Sequence, residues 1–237
     1  MGTSNFCNGC LGITSCSMFQ IRLLRGIGFV ALLSGQLLAG KIENNIGRDF
    51  RGFSVFEKVA GDLNGDGVVD YVATLWKNHL RTAPVVVYFG NGKGDFILQT
   101  KAPVANCFWC GGMKGTPNEP IGRLSINNKG ILVMTFKGGS REVWTDVLKW
   151  RFDKKQKEFF LIGETYTSVD NFGEEPTERT DINYSTGKME KNIGKKGKIC
   201  QFSLPLKMIL RTFDFENQHV GDLFLLTKKC LVDIPTR

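Results

Sequence analysis

The sequence predicts a mainly β fold: an antiparallel meander of hairpins, one of them built around a calcium loop, and not a full propeller. Three observations predict it. Glycine is abundant at 28 of 237 residues, which suits many tight turns. Phe is frequent at 18, against 4 each for Trp and Tyr, and aromatic and β-branched residues favour strands. Short runs of alternating apolar and polar residues recur, bounded by Gly, Asn and Asp. With 42% apolar and 23% charged residues, the composition is that of a globular chain, which excludes a wholly disordered or collagen-like one. No stretch is low-complexity enough to mark a linker, so 40–237 reads as a single β-rich domain.

The N-terminal stretch reads as a targeting segment. Arg22 and Arg25 form a basic start, Gly26 to Leu38 is an apolar run of 13 residues, and Ala39 and Gly40 are small. That order describes a secretory signal peptide over 18–39. The run is shorter than the roughly 20 apolar residues of a membrane-spanning helix. Met18 opens the signal peptide by itself, so 1–17 reads as a start codon placed too early. No Cys follows the cut, so no lipid anchor is expected. The expectation is an exported protein, periplasmic or secreted, with no stable membrane anchor.

The cysteines fit export. Of 7 cysteines, Cys7, Cys10 and Cys16 precede Met18. Cys107, Cys110, Cys200 and Cys230 remain, an even set that suggests two disulfides. Cys107–Cys110 with Cys200–Cys230 is the preferred pairing of three. The Cys107–Cys110 CxxC is also compatible with a redox dithiol or half a zinc site. Gly111 and Gly112 after it suit a loop.

The elements follow in order. Strands are expected over 54–60, 68–76 and 84–90, with a turn over 91–96. A four-stranded meander is expected next: 121–126, 131–136, 142–152 and 158–166, joined by turns at 127–130, 138–140 and 153–157. Polar residues alternate through 142–152, so one face should be solvated. Phe160 adjoins Leu161, which calls for a bulge. Phe136, Trp144, Trp150, Phe152, Phe159 and Phe160 are expected to pack a core. The polar stretch 168–198 reads as a long loop with a short hairpin near 182–193. A short helix is expected over 205–213 and a last strand over 222–227.

The most specific motif joins the first two strands. In Gly61-Asp-Leu-Asn-Gly-Asp-Gly-Val-Val-Asp-Tyr71, the side chains of Asp62, Asn64, Asp66 and Asp70 fall at positions 1, 3, 5 and 9 of a loop. Val68 at position 7 offers its carbonyl. Gly67 permits the sharp turn. Hard oxygen donors at this spacing point to Ca²⁺. Position 12 is Ala73 where an EF-hand has Glu, and the β-rich flanks exclude a helix–loop–helix. A plain Asx hairpin turn is the alternative.

The stretch 61–96, GDLNGDGVVDYVATL…VVVYFGNGKGDF, resembles one FG-GAP/VCBS-type repeat, the blade unit of integrin-like β-propellers. The resemblance covers about a sixth of the chain. It implies a β-hairpin with Ca²⁺ held by Asp62, Asn64, Asp66, Val68 and Asp70. Lys93 stands where such repeats often carry Asp. No second DxNxDGxxD copy occurs, so a propeller of several blades is not expected. More loosely, the remainder is similar to small exported bacterial proteins of uncharacterised function.

Function is less legible. The formal charge is +8, but the lysines at 188–198 and at 154, 155 and 157 read as solvated turns. Nucleic-acid binding would need aromatic platforms or a recognisable module beside them. The two histidines after the signal segment, His79 and His219, lie beside no nucleophile elbow, so enzyme chemistry is poorly supported. Glu142, Asp146 and Glu164 are the weak candidates for paired carboxylates. The expectation is a calcium-binding β module that interacts with a protein or glycan. An inhibitor or immunity protein of the periplasm is one variant. The alternative is a small envelope-polymer hydrolase with structural calcium.

Overall fold

The computed structural model describes residues 41–78, 80–107, 122–170, 172, 176–194, 196–201 and 207–215. The chain divides into two compact units, 1–40 and 41–237, and all described residues belong to the second. Among them, no helix is long and apolar enough to cross a membrane.

Among the described residues, eleven strands form two antiparallel sheets. The first holds β1 (Ser54–Gly61), β2 (Asp70–Trp76), β3 (Thr82–Gly90) and β4 (Phe96–Cys107) in chain order. The second holds β5 (Gly122–Ile126), β6 (Leu132–Gly139), β7 (Glu142–Asp153), β8 (Glu158–Asp170), β9 (Pro176–Asn183), β10 (Lys188–Ile193) and β11 (Lys196–Gln201), each beside its sequence neighbour. Neither sheet closes into a barrel or propeller. Every connection within a sheet is a hairpin, as short turns rich in Gly, Asn and Asp dictate.

The core lies between the sheets. Val72, Val85 and Val87 from the first meet Leu132, Met134, Phe136, Leu148 and Trp150 from the second. β1 and β5 adjoin, with the Glu57 carboxylate accepting the Leu124 N–H at 3.0 Å. Residues 207–215 tie the two sheets. The Phe215 N–H donates to the Val104 carbonyl on β4, and the Leu161 N–H on β8 donates to the Met208 carbonyl. Phe213 packs on Trp150 and Phe215 stacks on Phe136.

The fold class and the expected hairpins stand. The bulge called for by Phe160 and Leu161 falls beside them: β7–β8 pairing runs Lys149 to Gly163, then Trp150 to Leu161. Phe136, Trp150 and Phe159 are fully buried, while Trp144 and Phe152 pack at the core's margin.

Four details differ from the sequence expectation. Residues 41–49 are helical; Ile42, Ile46 and Phe50 recur one turn apart and are buried, giving a short apolar stripe. Phe96–Cys107 is a strand of 12 residues rather than the end of a turn. The stretch 168–198 is no long loop. β8 runs to Asp170 and three further strands follow, so the meander has seven strands, not four. Its buried positions include Thr180 and Lys191, which hide the alternation from an apolar count. Within 205–213 the described helical element is a single 3-10 turn, Leu210–Thr212. The expected strand over 222–227 and the start and signal segments over 1–39 lie outside the described residues.

Candidate functional site

The β1–β2 loop folds on its own side chains. Gly65 and Gly67 take φ of +69° and +80°, which lets the chain curl tightly. Asp62 Oδ1 accepts N–H groups from Gly65 at 2.7 Å and Asp66 at 3.2 Å, and its Oδ2 accepts that of Gly67 at 2.8 Å. Asn64 Oδ1 accepts the Asp66 N–H, while the Asn64 amide donates to Asp66 Oδ2, both at 2.9 Å. Asp66 Oδ1 accepts the Val68 N–H at 2.8 Å. Asp62, Asn64 and Asp66 are thus gathered at the loop's tip. Val68 follows, immediately before β2.

Asp70 stands apart in environment. It is fully buried at the start of β2. Its Oδ2 accepts the Leu63 N–H at 2.8 Å and its Oδ1 accepts the Gly90 N–H at 3.0 Å. One carboxylate therefore fastens the loop to the end of β3, an anchoring task that spacing alone does not reveal. Burial pushes its pKa up, against the two N–H donors, and the nearby Asp66 charge adds to the rise. Asp62 behaves oppositely. Partial burial raises it, but the Gly67, Gly65 and Asp66 N–H groups and the Lys154 charge outweigh that and hold it below the usual carboxylate range.

Turns from the second sheet press on this loop. A Cβ on Gly130, in the β5–β6 turn at φ +69°, would fall 2.5 Å from the Asp62 carbonyl oxygen. Lys154 of the β7–β8 turn donates its ammonium to the Gly65 carbonyl at 3.3 Å. These turns share one device with the β3–β4 turn of the first sheet: Asn127, Asp153 and Asn91 each accept two backbone N–H groups with a single side-chain oxygen.

Among the described residues, no group of three or more His, Cys, Asp or Glu side chains is placed to hold a metal ion. Asp62, Asp66 and Asp70 are therefore not arranged as such a group; the donors the sequence offers here, with the Asn64 amide and the Val68 carbonyl, are all oxygen. That all-oxygen set fits a hard cation such as Ca²⁺ and does not suit zinc or copper.

A second carboxylate group lies on the core-facing side of β7 and β8. Cross-strand register sets Asp146 opposite Tyr166 and Leu148 opposite Glu164, so Asp146 and Glu164 are diagonal neighbours on one face. They are 0% and 3% exposed. Glu164 accepts the Tyr184 hydroxyl at 2.6 Å. Burial, then the Glu164 charge, drives Asp146 well above the usual carboxylate range. Ser168 donates its hydroxyl to Glu142, and Lys191 pairs with Glu178. Asp146 and Glu164 therefore adjoin on neighbouring strands and are sealed from solvent, while Glu142 lies further along β7, bonded to Ser168. A glycosidase pair must face a cleft. The pattern that marks this network is polar residues at every second position of β8, Glu164, Tyr166 and Ser168.

Cys107 and Cys200 are each disulfide-bonded. Cys110 and Cys230 lie outside the described residues, as do His79 and His219. The exposed large apolar side chains include Ile97, Leu98, Ile193 and Ile199, with Phe172 the aromatic one, so the described surface carries no aromatic patch. Comparison of the chain with family models, curated proteins and solved structures gives no match.

Proposed function

We propose that this chain is an exported calcium-binding β module that acts by binding a protein or glycan partner in the periplasm or outside the cell. The observation that carries the reading is the convergence of Asp62, Asn64 and Asp66 on one tightly curled tip, with Asp70 anchoring the loop from beneath. Asp62, Asn64, Asp66, the Val68 carbonyl and Asp70 would hold the ion. When bound, Ca²⁺ supplies a divalent charge that offsets the repulsion among the loop's carboxylates. The chain's own residues do the rest. Asp62 fixes the curl, and Asp70 sets the loop against β3. Gly130 lets the β5–β6 turn approach. Binding to the folded state alone then adds stability by linkage.

The FG-GAP/VCBS likeness of 61–96 and the signal-like order of 18–39 support the same reading. Disulfide-bonded Cys107 and Cys200 agree with export, and the pairing proposed is Cys107–Cys110 with Cys200–Cys230. An inhibitor or immunity protein of a periplasmic enzyme is the narrower form. The hydrolase alternative is disfavoured by the burial of Asp146 and Glu164.

Thermal unfolding with and without Ca²⁺ tests the reading. Millimolar Ca²⁺ raises the midpoint of the wild-type protein, and Asp66→Ala abolishes the rise. An unchanged wild-type midpoint would reduce the loop to a hairpin turn.

A further inference from the structure

The lysine held on the loop comes from the other sheet. Lys154 is 89 positions from Gly65 in sequence and lies on the exposed β7–β8 turn. Its long stem carries a compact, strongly hydrated charge to the Gly65 carbonyl, between Asn64 and Asp66. The Gly65 Cα position lies close by: a Cβ there would stand 3.4 Å from that ammonium, in ordinary contact. Gathered carboxylates repel one another, and a nearby ammonium relieves that repulsion.

We infer that Lys154 is the tethered counter-cation of the β1–β2 loop, weakening its affinity for a divalent ion and linking loop occupancy to the β7–β8 turn of the second sheet. The affinity part rests on the calcium reading above. An ion held by Asp62, Asn64 and Asp66 lies within Coulomb range of the ammonium, and like charges repel. Ion binding therefore favours loss of the Gly65 contact and release of the 153–157 turn. Lys154 becomes an affinity-determining residue that ligates nothing.

The experiment uses the whole protein and CaCl₂ as the probe. Calorimetric titrations compare wild type, Lys154→Met and Lys155→Met; Lys155 is the adjacent exposed lysine and controls for net charge. Lys154→Met is expected to bind about three- to tenfold more tightly at low salt, with the gain shrinking as salt rises. Lys155→Met should change affinity less than twofold. Equal effects of the two variants, or no effect of Lys154→Met, would overturn the affinity claim.

A double-mutant cycle of Lys154→Met with Asp62→Asn, by urea unfolding in chelator, reads the counter-cation role without calcium. Lys154→Met should lower the folding equilibrium constant about two- to fivefold in the wild-type background and leave it unchanged in Asp62→Asn. Additive effects would overturn the role. If no variant binds Ca²⁺, the calcium reading falls and takes the affinity claim with it. The cycle then decides separately whether Lys154 neutralises Asp62.

Discussion

The carboxylates of the β1–β2 loop and those on the inner face of β7 and β8 are the same chemical group in opposite surroundings. At the loop tip, Asp62 takes three backbone N–H donors and is held below the ordinary carboxylate range. On the inner face, Asp146 is buried beside the Glu164 charge and is held well above it. In the first group, Asp62 favours staying charged. The second favours keeping a proton and is shut away from solvent. Burial and donor count, not residue type, assign the two roles.

Asp70 shares features of both regions, and removing it gives the largest expected effect. Asp70→Ala leaves the Leu63 and Gly90 N–H groups without their buried acceptor and opens a void. Urea unfolding in chelator should show a loss of about 3–5 kcal/mol. A loss below about 1 kcal/mol would mean that the loop is not anchored through this side chain.

The inner-face group should respond in the other direction. The folded-state pKa of Asp146 is raised above its unfolded value, so the folded state binds the proton more tightly. Below the unfolded pKa the group contributes nothing. As pH rises through the unfolded and then the folded value, it progressively destabilises the fold. Asp146→Asn should therefore stabilise the protein by about 1–3 kcal/mol at neutral pH and by nothing at strongly acid pH. Denaturant midpoints across an acid-to-neutral series check this. A mutant less stable than wild type at neutral pH would contradict the assignment.

Asp62→Asn is the smallest of the three, about 1 kcal/mol in chelator, as for loss of a capping carboxylate. Here the folded pKa is depressed. The stabilisation is present above the unfolded pKa and is lost as pH falls through the folded value. The pH dependences of the Asp62 and Asp146 variants thus carry opposite signs, and the same midpoint series distinguishes them.

Much of the fold was legible because turn chemistry and alternation both reported it. The turns at 127–130 and 153–157 and the strands between them follow from Asn, Gly and Asp beside alternating runs. The bulge in β8 was signalled by the adjacent apolar residues Phe160 and Leu161, although it falls just beyond them. The strands β9 to β11 were hidden because their inward positions include Thr180 and Lys191, whose polar atoms are met by Glu178. The helix over 41–49 offered only Ile42 and Ile46, with Phe50 just after it, to mark its face. At the loop, the positions of Asp62, Asn64 and Asp66 were readable from spacing. The anchoring by Asp70 and the approach of Lys154 were not, since both depend on partners 20 and 89 residues away.

The central claim is that the loop is a divalent-cation site, and a calorimetric Ca²⁺ titration of the purified protein beside Asp66→Ala tests it most directly. A single saturable site in the wild type, absent from the mutant while both remain folded, is the predicted result. A folded wild type that takes up no Ca²⁺ would contradict it and leave 61–71 as a hairpin turn that folds on its own hydrogen bonds.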